Sequence, residues 1–273
     1  MSRKVKVIVT AGYGTNCERE TAYACKKAGA EQVDIVHLSD LIYGQARLDA
    51  YHLLCLPGGF LDGDHLGAAQ AGAHRFRYAR VKESGERLLD QLLKLIGQGG
   101  LIIGICNGFQ LLVKLGLLPG FGGNYDQRLT SLTYNDSGRF EDRWVKLKIN
   151  TNSPCVFTKG LETLYLPVRH GEGKFVTKDE EVLERLKQNQ QIVCQYVDPK
   201  TGAPTQVYPY NPNGSLEAIA GICDETGRIF GLMPHPEAYN HFTNHPRWRR
   251  GEEDLLGLVI FKNAVAYIRE NLL

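Results

Sequence analysis

Neither sign of charge predominates in this chain: 32 Lys and Arg stand against 30 Asp and Glu, a net charge of +2 over 273 residues. That balance removes the electrostatic case for nucleic-acid or membrane-surface binding. The one local cluster, Arg247, Arg249 and Arg250, is answered by Glu252, Glu253 and Asp254, and reads as a solvated loop. No Cys-x-x-Cys pair occurs among the seven cysteines, and their odd number fits neither a disulfide framework nor a zinc site. Cys25, Cys55, Cys194 and Cys223 lie in apolar or periodic surroundings and read as buried thiols, so a reduced, cytoplasmic protein is expected. The longest apolar stretch near the C-terminus, 255–268, is broken by Lys262 and Asn263 and is no membrane span. Residues 2–6 are polar and charged, unlike a secretory signal. A Walker-type phosphate loop is absent, and Gly12-Tyr13-Gly14 lacks the third glycine of a dinucleotide loop, with Cys17 in its place. Pro- or Ser-rich linkers and internal repeats are also lacking, so residues 1–273 read as a single domain.

What the first half does have is strand–helix alternation. Strands are expected over 4–10, 33–38, 51–56 and 101–105, and helices over 18–27 and 83–96. In the second helix Leu88, Leu89, Leu92, Leu93 and Ile96 fall on one face. Such alternation implies an α/β fold, a doubly wound, mostly parallel sheet flanked by helices, with functional loops at the carboxyl ends of its strands. The second half adds strands at 145–149, 165–168, 192–197, 218–223 and 228–233, a short helix at 182–187 and a closing helix at 254–270. Asp224-Glu225-Thr226-Gly227 is expected to turn a hairpin. The stretches 57–82 and 120–143 are long, Gly-rich loops, and loops of that length are usually functional.

One short segment carries chemistry. Gly104-Ile105-Cys106-Asn107-Gly108-Phe109-Gln110 follows a buried strand and opens a helix that stops at Gly116. A glycine two residues either side of Cys106 would let strand turn sharply into helix, as in a nucleophile elbow with sulfur in place of oxygen. The first N–H groups of that helix and its dipole would favour an anion there. A lone cysteine between apolar runs is, however, more often core than nucleophile. Met233-Pro234-His235-Pro236-Glu237 supplies what a nucleophile needs. In an extended, proline-bracketed chain His235 and Glu237 project to one side, base and orienting acid together. Pro57-Gly58-Gly59-Phe60 follows another strand, and the Gly59 and Asn107 N–H groups could hold an oxyanion.

These two motifs resemble the Cys and His/Glu motifs of class I (triad) glutamine amidotransferases. More narrowly, the chain is similar to the glutaminase part of phosphoribosylformylglycinamidine synthase, whether a PurQ subunit or the C-terminal domain of a long PurL. The narrower likeness rests on Gly14-Thr15-Asn16-Cys17-Glu18, Pro57-Gly58-Gly59-Phe60, the Cys-Asn-Gly elbow, His170-Gly171-Glu172-Gly173 and Asn211-Pro212-Asn213-Gly214-Ser215, spread over nearly the whole chain. After Gly-Gly-Phe, related chains usually carry Ser-Tyr-Gly-Asp, of which Leu61-Asp62-Gly63-Asp64 here keeps only the Gly-Asp. The resemblance implies a flavodoxin-like amidotransferase fold, Cys106 as nucleophile, His235 as base and acid, and Glu237 as its partner. It implies backbone oxyanion donors at Gly59 and Asn107, and glutamine held by Gln110 and the backbone around His170 and Gly171. Ammonia would pass to a PurL-like synthetase subunit, with a small PurS-like subunit as a further candidate partner, for de novo purine synthesis. ATP and Mg would belong to the synthetase, leaving this chain without a cofactor or metal. The competing expectations are another triad cysteine hydrolase of the same fold, γ-glutamyl hydrolase-like or PfpI-like, and a non-catalytic interaction module.

Overall fold

A computed structural model describes residues 4–273, so the polar start read over 2–6 lies partly outside the described residues. In chain order the first half runs β1 (Lys6–Ala11), α1 (Glu18–Lys27), β2 (Gln32–His37), α2 (Leu38–Ile42), β3 (Leu53–Leu56), α3 (Gln70–Tyr78), α4 (Leu88–Gly97), β4 (Leu101–Ile105) and α5 (Asn107–Leu115). The second half continues with β5 (Thr130–Thr133), β6 (Glu141–Ile149), β7 (Thr163–His170), β8 (Lys174–Thr177), α6 (Glu180–Gln188), β9 (Ile192–Tyr196), β10 (Ile219–Cys223), β11 (Ile229–Leu232) and α7 (Leu258–Asn271).

Strands from both halves share one sheet, in the order β2-β1-β3-β4-β11-β10-β9-β6-β7. Pairing is parallel from β2 across to β11 and antiparallel from β11 out to β7. β3 and β4 are buried along their whole length, which is why they read as unbroken apolar runs covered on both faces. Strand order steps from β1 one way to β2 and the other way to β3 and β4. Right-handed crossovers then place the connecting helices on opposite faces. Accordingly α1 packs with α7, whereas α3 packs with α4 and α5. The expected doubly wound α/β architecture forms, and the second-half strands extend it as an antiparallel wing.

The Asp224–Gly227 turn joins β10 to β11 as expected, closed by the Asp224 carboxylate, which accepts from the backbone N–H of Arg228 and Ile229. Other expectations need correction. The loop expected over 57–82 contains α3, whose buried residues are only Gly72, Ala73 and Phe76, too small an apolar stripe to announce a helix. The loop expected over 120–143 contains β5, which pairs with β8 in a separate two-stranded ribbon. The 83–96 helix begins only at Leu88, where the Asp90 carboxylate accepts from the Arg87 N–H. The closing helix begins at Leu258, because the Tyr239 hydroxyl holds the backbone of Asp254 in a non-helical course.

The tightest approach in the sheet-to-helix packing is at Gly108, where an added Cβ would lie 1.9 Å from the Leu56 carbonyl oxygen. Gly108→Ala should therefore destabilise the chain by at least about 2 kcal/mol. Gly97, at the end of α4 with nothing within 4 Å, is the control: Gly97→Ala should stabilise by about 0.5 kcal/mol. Urea unfolding midpoints test both, and a Gly108→Ala chain as stable as its parent would contradict the contact.

Candidate active site

Cys106 sits between β4 and α5 with φ 52° and ψ −104°, a conformation that side chains rarely adopt. The flanking glycines do not supply the turn by positive φ, as the sequence suggested; neither has one. They permit close approach instead. A Cβ on Gly104 would stand 2.5 Å from the Gly108 carbonyl oxygen, and one on Gly108 would strike β3. The bend is thus carried by Cys106 itself, while its N–H donates to the Leu232 carbonyl at 2.8 Å and ties the elbow to β11. Cys106 Sγ lies 3.5 Å from the Arg169 carbonyl oxygen.

His235 and Glu237 do meet, though by another route than the extended chain expected. His235 is extended, but Pro236–Ala238 forms a single 3-10 turn that swings the carboxylate back under the ring. His235 Nδ1 and Glu237 Oε1 are 2.6 Å apart, both residues buried. With Nδ1–H donated to the carboxylate, Nε2 is left without a hydrogen-bond partner among the described residues, available to a proton in transit. Burial opposes charge on this imidazole, but the Glu237 carboxylate, followed by the Cys106 sulfur, outweighs it and holds the ring well above the ordinary imidazole range.

Cys106, His235, Gly59, Asn16, Cys17 and Arg169 line one small cavity, with the part-exposed rings of Phe60 and Phe140 beside them. Gly59 (φ 138°) faces Thr15 across an isolated antiparallel bridge. The bonds on either side, Asn16 N–H to Gly58 O and Phe60 N–H to Gly14 O, make Gly59 a non-bonded position whose own N–H turns away from Thr15. Asn107 is the first residue of α5, so its N–H has no helical partner. Cys17, which the sequence reading treated as a departure from a nucleotide loop, instead packs its Sγ 4.0 Å from His235 Nδ1. Burial raises the Cys17 thiol, the His235 hydrogen bond only partly opposing this, so it stays protonated beside the imidazole–carboxylate pair. Ligand atoms of Cys17, His235 and Glu237 lie within 4.8 Å of one another and could hold a soft divalent ion, but only by displacing the proton between imidazole and carboxylate.

The remaining expected residues, Gln110, His170 and Gly171, are not among those lining this cavity. Gln110 is buried, and its amide is engaged by protein: Oε1 accepts from Asn107 and Nε2 donates to the Glu172 carbonyl. The carbonyl oxygens of His170 and Gly171 accept from the side chain and backbone of Asn135. The His170 ring is held by protein groups on both nitrogens. It is clamped between Asn135 Oδ1, at 3.1 Å from Nδ1, and the Asn213 amide, which donates to Nε2 at 3.4 Å. That bond explains part of the Asn211–Ser215 motif, which also turns on itself through Asn211 Oδ1 and receives the Phe175 N–H at Ser215 Oγ. Arg169 and Phe140 had no place in the expected site, and Asn16 stood only within the Gly14–Glu18 motif without a role; the signal for Arg169 was only its place just before His170.

A thiol raised on an elbow needs a proton carrier and something to hold the negative charge it creates. The carboxyl ends of β4, β11 and β3 divide that work among neighbouring parallel strands, in the manner of the triad glutamine amidotransferases. Comparison with known proteins agrees: the CobB/CobQ-like glutamine amidotransferase domain matches residues 4–268. The phosphoribosylformylglycinamidine synthase subunit PurQ of Methanococcus maripaludis is 44% identical over 97% of this chain and 98% of its own. That of Dehalococcoides mccartyi is 45% identical over 98% and 99%. The structure of PurLQS from Thermotoga maritima contains a chain that superposes with a TM-score of 0.70 at 29% identity, covering 97% of this chain and 100% of that one. The chain belongs to the CobB/CobQ-like glutamine amidotransferases and, within them, to the family of PurQ subunits.

His170 generates a pH prediction. Burial, then the nearby charge of His235, lowers its imidazole to about 3. The unfolded chain binds that proton near 6.5, so this contribution to stability is complete above pH 6.5 and is lost as pH falls toward 3, on the order of 4 kcal/mol in all. Urea titrations between pH 7 and 4 should show a shallower fall for His170→Gln than for the parent; identical slopes would refute the neutral, clamped ring.

Proposed function

We propose that this chain is the glutaminase component of a phosphoribosylformylglycinamidine synthase, hydrolysing glutamine and passing ammonia to a PurL-like synthetase subunit. The observation that carries the reading is the buried His235–Glu237 pair, whose free Nε2 opens on the same cavity as Cys106. The Cys106 thiolate attacks the side-chain amide carbon of glutamine, and the Gly59 and Asn107 N–H groups take the oxyanion. His235 gives its Nε2 proton to the departing ammonia as the C–N bond breaks, leaving a γ-glutamyl thioester. Water then loses a proton to the same nitrogen, attacks the thioester and releases glutamate with the thiol restored. Glu237 keeps the ring oriented and its cationic form stabilised. Gln110, His170 and Gly171 shape the wall that holds glutamine, Gln110 through its grip on the Glu172 carbonyl.

On this reading the ATP and Mg sites, and the ribonucleotide to be converted, lie on the synthetase, and a small PurS-like subunit can join. One sheet built from both halves of the chain supports a single catalytic domain over 1–273. Among the described residues no helix is long and apolar enough to cross a membrane. All seven cysteines are free, which favours the reducing cytoplasm.

Reconstitution with a PurL-like synthetase tests the proposal. Cys106→Ala should abolish glutamine-dependent synthesis and spare synthesis from ammonium. Glu237→Gln should lower glutamine turnover about 10²–10⁴-fold, again with ammonium use intact. Loss of both nitrogen sources in Cys106→Ala, or cleavage of γ-glutamyl peptides with glutamine untouched, would overturn it.

A further inference from the structure

The cavity in front of Cys106 contains a permanent cation that the hydrolytic steps do not use. Arg169 stands one residue before the end of β7, and the strand reaches the site twice through its backbone: the Pro167 carbonyl accepts from the His235 N–H, and the Arg169 carbonyl faces Cys106 Sγ. Its side chain is half-buried and lines the cavity. Nε is buried without a hydrogen-bond partner, and the guanidinium makes no ion pair among the described residues. Asp142 lies directly across the β6–β7 ladder yet forms no ion pair with it, whereas the next arginine, Arg143, pairs with Glu141.

A guanidinium half drawn out of water, its Nε buried without a partner, is unfavourable, and anionic oxygens are what its planar fork fits. Glutamine presents a neutral amide to Cys106, so its only anionic group, the α-carboxylate, must be received elsewhere in the same cavity. His235 cannot receive it: Nδ1 is held by Glu237 and Nε2 must move protons. No other lining side chain is cationic. We propose that Arg169 binds the α-carboxylate of glutamine and thereby selects the free amino acid over glutamine whose carboxylate is amidated or peptide-linked. This rests on the glutaminase reading and adds a specificity residue to it.

Covalent labelling of Cys106 in the full chain tests this without turnover. Two electrophiles are compared: a diazoketone analogue of L-glutamine, which carries the α-carboxylate, and iodoacetamide, which carries none. Arg169→Gln should slow labelling by the diazoketone about 10–100-fold, the range for losing a hydrogen-bonded charge partner, and leave iodoacetamide labelling unchanged. Arg169→Lys should recover part of the rate, and the α-amide of the diazoketone should react with parent and Arg169→Gln alike. In turnover the loss should fall on KM more than on kcat. Equal slowing with both reagents would assign Arg169 a structural role and overturn the proposal, as would an unchanged diazoketone rate, or the same loss in Asp142→Asn. If the diazoketone fails to label Cys106 in the unaltered chain, the glutaminase reading itself fails; labelling that ignores Arg169 sinks only this inference.

Discussion

The absence of a side chain at Gly108 fixes the geometry on which the site depends. With nothing between them, the first turn of α5 lies directly on the Leu56 carbonyl of β3, and Gly104 lets the same turn close onto β4. The chain between those contacts must reverse within two residues, and Cys106 takes the whole of the bend at φ 52°. Backbone held there is strained by about 1–3 kcal/mol. Burial of Phe109, Leu111, Leu112, Val113 and Leu115 along α5 offsets that strain many times over. Sulfur is thereby set at a helix start where the residue stays buried yet lines the small cavity, beside donors that have no partner within the helix.

From that fixed point a chain of polar contacts ties distant loops to the elbow. The Asn107 side chain accepts from the Leu61 N–H and donates to Gln110; Gln110 donates to the Glu172 carbonyl; the Glu172 carboxylate accepts from the Ala68 N–H. The loop after β3 and the turn after β7 are thus held to each other as well as to α5. Leu61 and Asp62, which stand where the resemblance implies Ser-Tyr, lie inside this frame, followed by Gly63-Asp64. Leu61 fills the space over Gly12 and Gly72, where side chains would collide with it, so the apolar residue seats α3 as well as the loop after β1. Asp64 is raised by burial and by the neighbouring Glu172, with Lys114 opposing, so the frame's far corner carries its own charge cluster.

How much of this could be read in advance follows from the kind of information each feature leaves in sequence. The parallel strands were legible because burial on both faces demands unbroken apolar runs, and Cys106, His235 and Glu237 because reactive side chains stood at strand ends between glycines and prolines. The physical reasons given for two of them were nevertheless incomplete. Gly104 and Gly108 serve close packing and not backbone freedom, and His235 reaches Glu237 through a 3-10 turn and not along an extended chain. Helix α3 was hidden because small residues bury little area and leave no periodic stripe. β5 was hidden because its partner β8 lies some forty residues on, a pairing no local pattern encodes. Arg169 was hidden because an arginine in a strand gives no sign of which group it lacks.

That lack is informative once the partners are known. Buried polar groups are normally satisfied, so an unpartnered one marks either strain or a task. Among the described residues nine buried side-chain atoms lack partners, and three of them, His235 Nε2, Glu237 Oε2 and Arg169 Nε, belong to one corner of the molecule. Apolar replacements would remove these desolvation penalties, as would pairing Arg169 with Asp142, but either change would leave nothing to move a proton or meet a carboxylate. His170, one residue on from Arg169, is handled in the opposite way: both ring nitrogens are engaged, its proton affinity is suppressed, and its ring holds the strand end in place. The two adjacent residues thus divide the end of β7 between a satisfied support and an unsatisfied cation, and the difference between them is what separates scaffold from site.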